Sequence, residues 1–195
     1  MNHTISASTA ADSARVLELS DLTSQLSIIA LGVLCAVFVI LAVVRRRPGA
    51  LAALAAAGAG SVLSYLLSEV LKMLVRQPRP CHLDTPSPEC PPLDDWSFPS
   101  NHAVIAFGLA LAVIVGSRRL WIVAVPLALI TATGRVLSHE HFVHDVVVGG
   151  LIGIIVVALT VLLLQRALTP LADRIVSVVH HEPRATRRAP ATMEV

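Results

Sequence analysis

The chain has 195 residues, 55% of them hydrophobic and 14% charged, with a mean hydropathy of +0.75. Such values lie outside the range of soluble globular domains and indicate a membrane protein that crosses the bilayer several times. A formal net charge of +2 is too small to argue for a nucleic-acid partner.

A hydrocarbon core takes roughly 20 apolar residues per helix, so this length accommodates about five or six spans. Residues 1–26 are polar and of mixed charge, with Asp12, Glu18 and Asp21 among them, and show no cleavable signal pattern. Within them, residues 13–26 are a candidate for a short helix lying on the membrane surface. The first apolar run is Ser27 to Val44, closed by Arg45-Arg46-Arg47-Pro48. A second runs from Ala50 to Leu71, and a third, the shortest, from His102 to Gly116 just before Ser117-Arg118-Arg119. The fourth covers Leu120 to Leu137 and the fifth Val146 to Leu164. After Thr169 an apolar stripe (Leu171, Ile175, Val176, Val178, Val179) reads as an interfacial helix, and the basic end beyond it as disordered. The expected architecture is therefore one all-α membrane bundle of about five spans. It comprises a polar segment (1–26), a membrane domain (27–168) and a basic cytoplasmic tail (169–195).

Arg45 to Arg47, Arg118, Arg119 and the tail arginines Arg166, Arg174, Arg184, Arg187 and Arg188 fall on one side of a five-span chain. The positive-inside rule makes that side cytoplasmic. Lys72, Arg76, Arg79 and Arg135 then stand on the outer side, where the rule disfavours them. Snorkelling to lipid headgroups accounts for Arg76. Lys72, Arg79 and Arg135, held at one depth, repel one another unless an anion binds among them, and together they read as an anion site. The same side holds "FPSNH", which puts Ser100, Asn101 and His102 at the start of the third apolar helix. Free N–H groups and the helix dipole favour an anion there, although a Ser-Asn pair also serves as an ordinary N-cap.

In order, the chain carries Lys72 and Arg79-Pro80 around six residues, then Pro99-Ser100-Asn101-His102. Arg135, five residues, His141, three residues and Asp145 complete the series. This resembles the tripartite signature of the type-2 phosphatidic acid phosphatase family, K-x6-RP, PSGH and SR-x5-H-x3-D. Those proteins are integral-membrane relatives of the vanadium haloperoxidases. The resemblance covers about residues 27–164, and it departs from the signature at Asn101 for glycine and Gly134 for serine. It implies a lipid phosphate phosphatase with its site at the outer face and no metal or other cofactor. His141 would be the nucleophile, transiently phosphorylated, Asp145 its partner, and His102 the acid at the leaving oxygen. Lys72, Arg79, Ser100, Asn101 and Arg135 would bind phosphoryl oxygens. The residues are chemically suited: a carboxylate four positions from an imidazole fixes its tautomer, and clustered donors offset charge developing during transfer.

His139 and His144 have valine, not an acid, four positions on (Val143, Val148) and read as polar surface or supporting residues. His82 has no evident partner. A zinc site in this histidine-rich stretch is opposed by the basic residues around it. Cys81 and Cys90 flank a proline-rich loop and form a candidate disulfide, with two free thiols as the alternative, while Cys35 reads as packing. For the substrate, small bacterial members of the resembled family suggest a polyprenyl diphosphate in the plasma membrane. Phosphatidic acid, phosphatidylglycerol phosphate and a polyprenyl phosphosugar are the alternatives. An ion-coupled transporter is the competing class, because charges near membranes also handle ions.

Overall fold

The computed structural model of the chain describes residues 2–83 and 90–180, with side chains from residue 15 onward. The Asp12 side chain, Arg184, Arg187, Arg188 and the end of the tail lie outside the described residues. The helices are α1 (Asn2–Val44), α2 (Pro48–Val75), the short α3 (Pro80–Leu83), α4 (Asn101–Gly116), α5 (Trp121–Leu137) and α6 (Val143–Val179). A 3-10 turn, Arg118–Leu120, leads into α5, and no strand occurs among the described residues. Among the described residues, four stretches are long and apolar enough to cross a membrane: Arg15–Val44, Pro48–Leu83, Arg118–Leu137 and Val143–Val179.

The third apolar run is the exception in length, and packing gives the reason. With 16 residues, α4 rises only about 24 Å, less than a hydrocarbon core. It is surrounded by α1, α2, α5 and α6, and its buried face is built from Ala103, Val104, Ala106, Gly108, Ala110, Ala112 and Val113. Small side chains of this kind let several helices approach closely where no hydrophobic force drives them together. Two glycines bring α6 within backbone contact of its neighbours. A methyl on Gly60 of α2 would lie 2.9 Å from Val157 Cα, and one on Gly153 would lie 2.3 Å from Val104 O.

Two boundaries differ from those read in the sequence. Neither proline nor glycine interrupts residues 2–31, and the expected surface helix is continuous with the first span as α1. Its buried stripe, Ser20, Ser24, Ser27 and Leu31, follows helical spacing, and α1 packs against α5 and α4. The serine hydroxyls of this stripe donate to carbonyls one turn back, Ser20 to Leu17 (2.7 Å), Ser24 to Ser20 (2.7 Å) and Ser27 to Thr23 (2.8 Å). A polar stripe is thereby buried with its donors satisfied. At the other end of the chain, α6 continues through Pro170 to Val179. Ala172 and Val176 pack on Ala42, Leu51, Ala52 and Leu54, while Leu171, Ile175, Val178 and Val179 stay exposed.

This connectivity gathers the C-termini of α2 and α5 and the N-termini of α4 and α6 at one end of the bundle. Arg45, Arg46, Arg47, Arg118 and Arg119 lie at the other.

Candidate active site

Three cations predicted to hold an anion meet at the first of these ends, and each is already paired with a carboxylate. Lys72, in the last turn of α2, donates to Asp95 Oδ1 at 3.1 Å. Asp95 Oδ2 lies 2.9 Å from Arg79 Nη2, and Arg79 Nε donates to the Asp95 carbonyl at 2.8 Å. Glu140 Oε2 bridges Arg79 Nη1 (3.3 Å) and Arg135 Nη2. Asp21 of α1 closes the series on Arg135 Nη1. The result is an alternating chain, Lys72–Asp95–Arg79–Glu140–Arg135–Asp21. The three cations are 4–7% exposed, so each needs a partner at close range. Burial is the largest influence on Asp95 and opposes its charge, but Arg79 and Lys72 together hold its carboxyl below the usual range. For Glu140 burial prevails over Arg135 and Arg79 and lifts the carboxyl above the usual range.

Beside this chain stand His141 and Asp145. Asp145 is fully buried in the first turn of α6, and its Oδ2 accepts from Ser97 Oγ and from the Phe142 N–H at 2.9 Å. His141 Nδ1 is 3.6 Å from the same oxygen and 3.5 Å from Ser97 Oγ. The opposite ring nitrogen, Nε2, faces Arg79 Nη1 at 3.4 Å. With hydrogen on Nδ1, on the carboxylate side, the Nε2 lone pair points to the cations, the geometry a nucleophilic histidine requires. Burial draws the His141 pKa below its ordinary value, against the pull of Asp145, so the imidazole is neutral and able to attack near neutral pH.

The start of α4 supplies further donors. Ser100 precedes the helix, but its hydroxyl makes no side-chain cap bond. Its Oγ is buried without a partner, as is Arg135 Nε. The Ser100 N–H donates to the Asp145 carbonyl at 3.1 Å, tying α4 to α6. Asn101 is placed differently from a phosphate ligand: its carboxamide donates to Glu69 Oε1 (2.5 Å) and accepts from Ser68 Oγ (2.5 Å), both on α2. His102, half-buried, shares the electrostatic surroundings of Arg135, His141, Asp21 and Arg79.

Gly134 has a direct structural cause. A methyl there would lie 2.0 Å from Ser24 Oγ and 2.6 Å from the Ser20 carbonyl, so α1 leaves no room for serine. Cys81 and Cys90 are joined in a disulfide, and the Cys81 N–H donates to His139 O at 2.9 Å, fastening the segment after Arg79 to the loop before His141. Cys81, His82 and Cys90 are close enough together to resemble a metal grouping, but the bridged sulfurs offer it no thiolate. Arg76 caps α2 in left-handed conformation and turns its Nε to the Met73 carbonyl. His139 is exposed at a positive φ of 58°, and exposed His144 reaches Asp145 Oδ1 at 3.0 Å.

Asp21, Asp95, Glu140 and Ser97 were not among the predicted site residues. The signal for Glu140 was its place beside His141, and that for Ser97 its place three residues before Ser100.

The sequence profile of the PAP2 superfamily matches residues 50–168. An undecaprenyl-diphosphatase of Sulfolobus acidocaldarius is 30% identical over 94 residues, 47% of this chain and 46% of that protein. The undecaprenyl-diphosphatase BcrC of Bacillus subtilis is 28% identical over 120 residues, 62% of this chain and 60% of that protein. The chain thus covers about half to three-fifths of these relatives. No solved structure matches it. Asp21 and Ser24 lie on α1, before the matched segment.

Proposed function

The chain belongs to the PAP2 superfamily, and from that premise we propose that it is a membrane phosphatase acting on a polyprenyl diphosphate. The observation that carries the chemistry is His141 set between Asp145 on one ring nitrogen and Arg79 on the other. The phosphoryl group sits among Arg79, Arg135, Lys72 and the Ser100 hydroxyl, displacing carboxylates from the cations as it enters. The His141 Nε2 lone pair forms a bond to phosphorus while the bond from phosphorus to the leaving oxygen breaks, and His102 delivers a proton to that oxygen. Water then attacks the phosphohistidine, His102 takes its proton, and inorganic phosphate leaves with His141 restored. The guanidinium and ammonium groups offset charge on the transferring oxygens throughout, so the reading requires no metal. Asn101 contributes its backbone N–H at the helix start, its side chain holding α4 to α2.

The preference for a polyprenyl diphosphate rests on the two undecaprenyl-diphosphatase relatives. A long apolar tail would stay in the membrane while its diphosphate reached a site at the end of a helical bundle. A glycerophospholipid phosphate is the second reading, since the site grips phosphate and nothing in it selects a tail. Phosphate release by purified protein should be compared on polyprenyl diphosphate, phosphatidate and phosphatidylglycerol phosphate in matched micelles. A preference of about tenfold in kcat/KM for the diphosphate, roughly 1.4 kcal/mol, is expected. The same margin for a glycerophospholipid overturns the substrate and leaves the phosphatase. Failure on all three, together with no acid-labile phosphate on protein quenched during turnover, overturns the phosphatase.

A further inference from the structure

Asp145 serves two histidines, one on each oxygen. While Oδ2 takes Ser97, the Phe142 N–H and the 3.6 Å approach of His141, Oδ1 receives His144 Nε2 at 3.0 Å. His144 is thus the nearer of the two imidazoles, and only its distance falls within hydrogen-bonding range. Its position is held on several sides. Gln77, from the loop after α2, brings Oε1 to 3.2 Å of His144 Nε2 and its own Nε2 to 3.5 Å of Asp145 Oδ1. Phe142 stacks on the ring with centroids 5.4 Å apart and planes 13° apart, and Phe98 lies 6.0 Å away on the loop before α4.

A carboxylate only accepts, so a hydrogen bond between His144 and Asp145 uses a hydrogen on His144 Nε2, with the Gln77 carboxamide beside it, its Nε2 at 3.0 Å and its Oε1 at 3.2 Å, turned to offer the oxygen. The His144 side chain is 57% exposed while Asp145 is fully buried, so His144 stands between the carboxylate and water. The charged and titratable groups facing His144 are Asp145 and, through it, His141, with Arg79 on the far side of that ring. Gln77, Phe98 and Phe142 are uncharged.

We propose that His144 is a positioning residue for phosphoryl transfer: it fixes the second oxygen of Asp145 and so holds the carboxylate that orients His141. An N–H of His144 on Oδ1 holds Asp145 in place and leaves Oδ2 to orient His141 and stabilise the cation formed there on attack. The proposal rests on His141 being the nucleophile, and its test keeps the two questions apart.

Steady-state kcat and KM should be measured on one lipid phosphate from about pH 5 to 8.5 for wild type, His144→Gln, His144→Ala and His141→Ala. His144→Gln keeps an N–H donor that takes up no proton. Its kcat should stay within about threefold of wild type. His144→Ala should lose about tenfold in kcat across the range with KM nearly unchanged. A His144→Gln loss as large as that of His144→Ala overturns the proposal, as does a His144→Ala loss confined to KM. Should His144→Ala fail to fold, His144→Phe, which keeps the stack on Phe142 and loses the donor, takes its place. Turnover retained by His141→Ala overturns the nucleophile assignment, whatever the His144 variants do.

Discussion

At one end of the bundle Arg45, Arg46, Arg47, Arg118 and Arg119 lie exposed on their connections, whereas at the other Arg79 and Arg135 are 4% and 5% exposed and locked to carboxylates. The same side chain stands at the surface in the first setting and is withdrawn from water in the second. An exposed guanidinium costs little to place and acts through its sign alone, setting the orientation of the chain. A buried one persists only with anions supplied at fixed positions. Asp95, Glu140 and Asp21 supply them. The charge distribution that orients the chain and the one that reads as catalytic therefore differ in burial, not in residue type.

The largest break in this comparison comes from removing one arginine at each end. Arg135→Ala deprives Glu140 and Asp21 of their common partner and takes a donor from the transferring phosphate, so kcat/KM should fall about 10²–10³-fold. Arg118→Ala should stay within about twofold. Similar losses in a phosphate-release assay would erase the distinction. Sidedness is the next arm. In a Cys35→Ala background, where the bridged Cys81 and Cys90 do not react, Leu93→Cys and Arg118→Cys should be treated with an impermeant thiol reagent on intact cells. Position 93 should label at least tenfold faster than 118, as the positive-inside rule orients the chain. The reverse order puts the site on the cytoplasmic side.

The smallest effect is expected at Glu140. Burial already works against its charge, so Glu140→Gln should shift Tm by no more than about 3 °C. Freed of a competing carboxylate, Arg79 and Arg135 should bind vanadate several-fold tighter, read as a lower inhibition constant. A large fall in Tm, with vanadate binding unchanged, would make Glu140 a structural clamp instead.

The helices and the spacing of Lys72, Arg79, His102, Arg135, His141 and Asp145 were legible because both are periodic or local. What was not legible came from long-range pairing. Asp21 reaches Arg135 across 114 positions, and Asp95 reaches Lys72 across 23, from a loop whose composition carries no pattern. The break expected before Ser27 followed from a change of polarity, but a serine stripe packs as well as an apolar one when its hydroxyls bond one turn back. His144 was judged by an acid four positions on, the spacing of a helix interior. It stands instead in the first turn of α6, where the side chain turns to its immediate neighbour Asp145. The pairing of Asn101 with Ser68 and Glu69 had no sequence signal, for nothing local marks which helices will face each other.

Taken around the cradle, Lys72, Arg79 and Arg135 carry three positive charges and Asp95, Glu140 and Asp21 three negative ones, so the six side chains sum to zero. A lipid diphosphate adds at least two negative charges where Arg79, Arg135 and Glu140 are largely withdrawn from water. Electroneutrality is approached most easily if protons enter with it. Glu140, whose carboxyl burial holds above the usual range, is the member readiest to accept one. Lipid binding and proton binding are then linked, so affinity weakens as pH rises even after the lipid's own ionisation is complete. Calorimetry in buffers of unequal ionisation heat reads that uptake as a binding enthalpy that depends on the buffer.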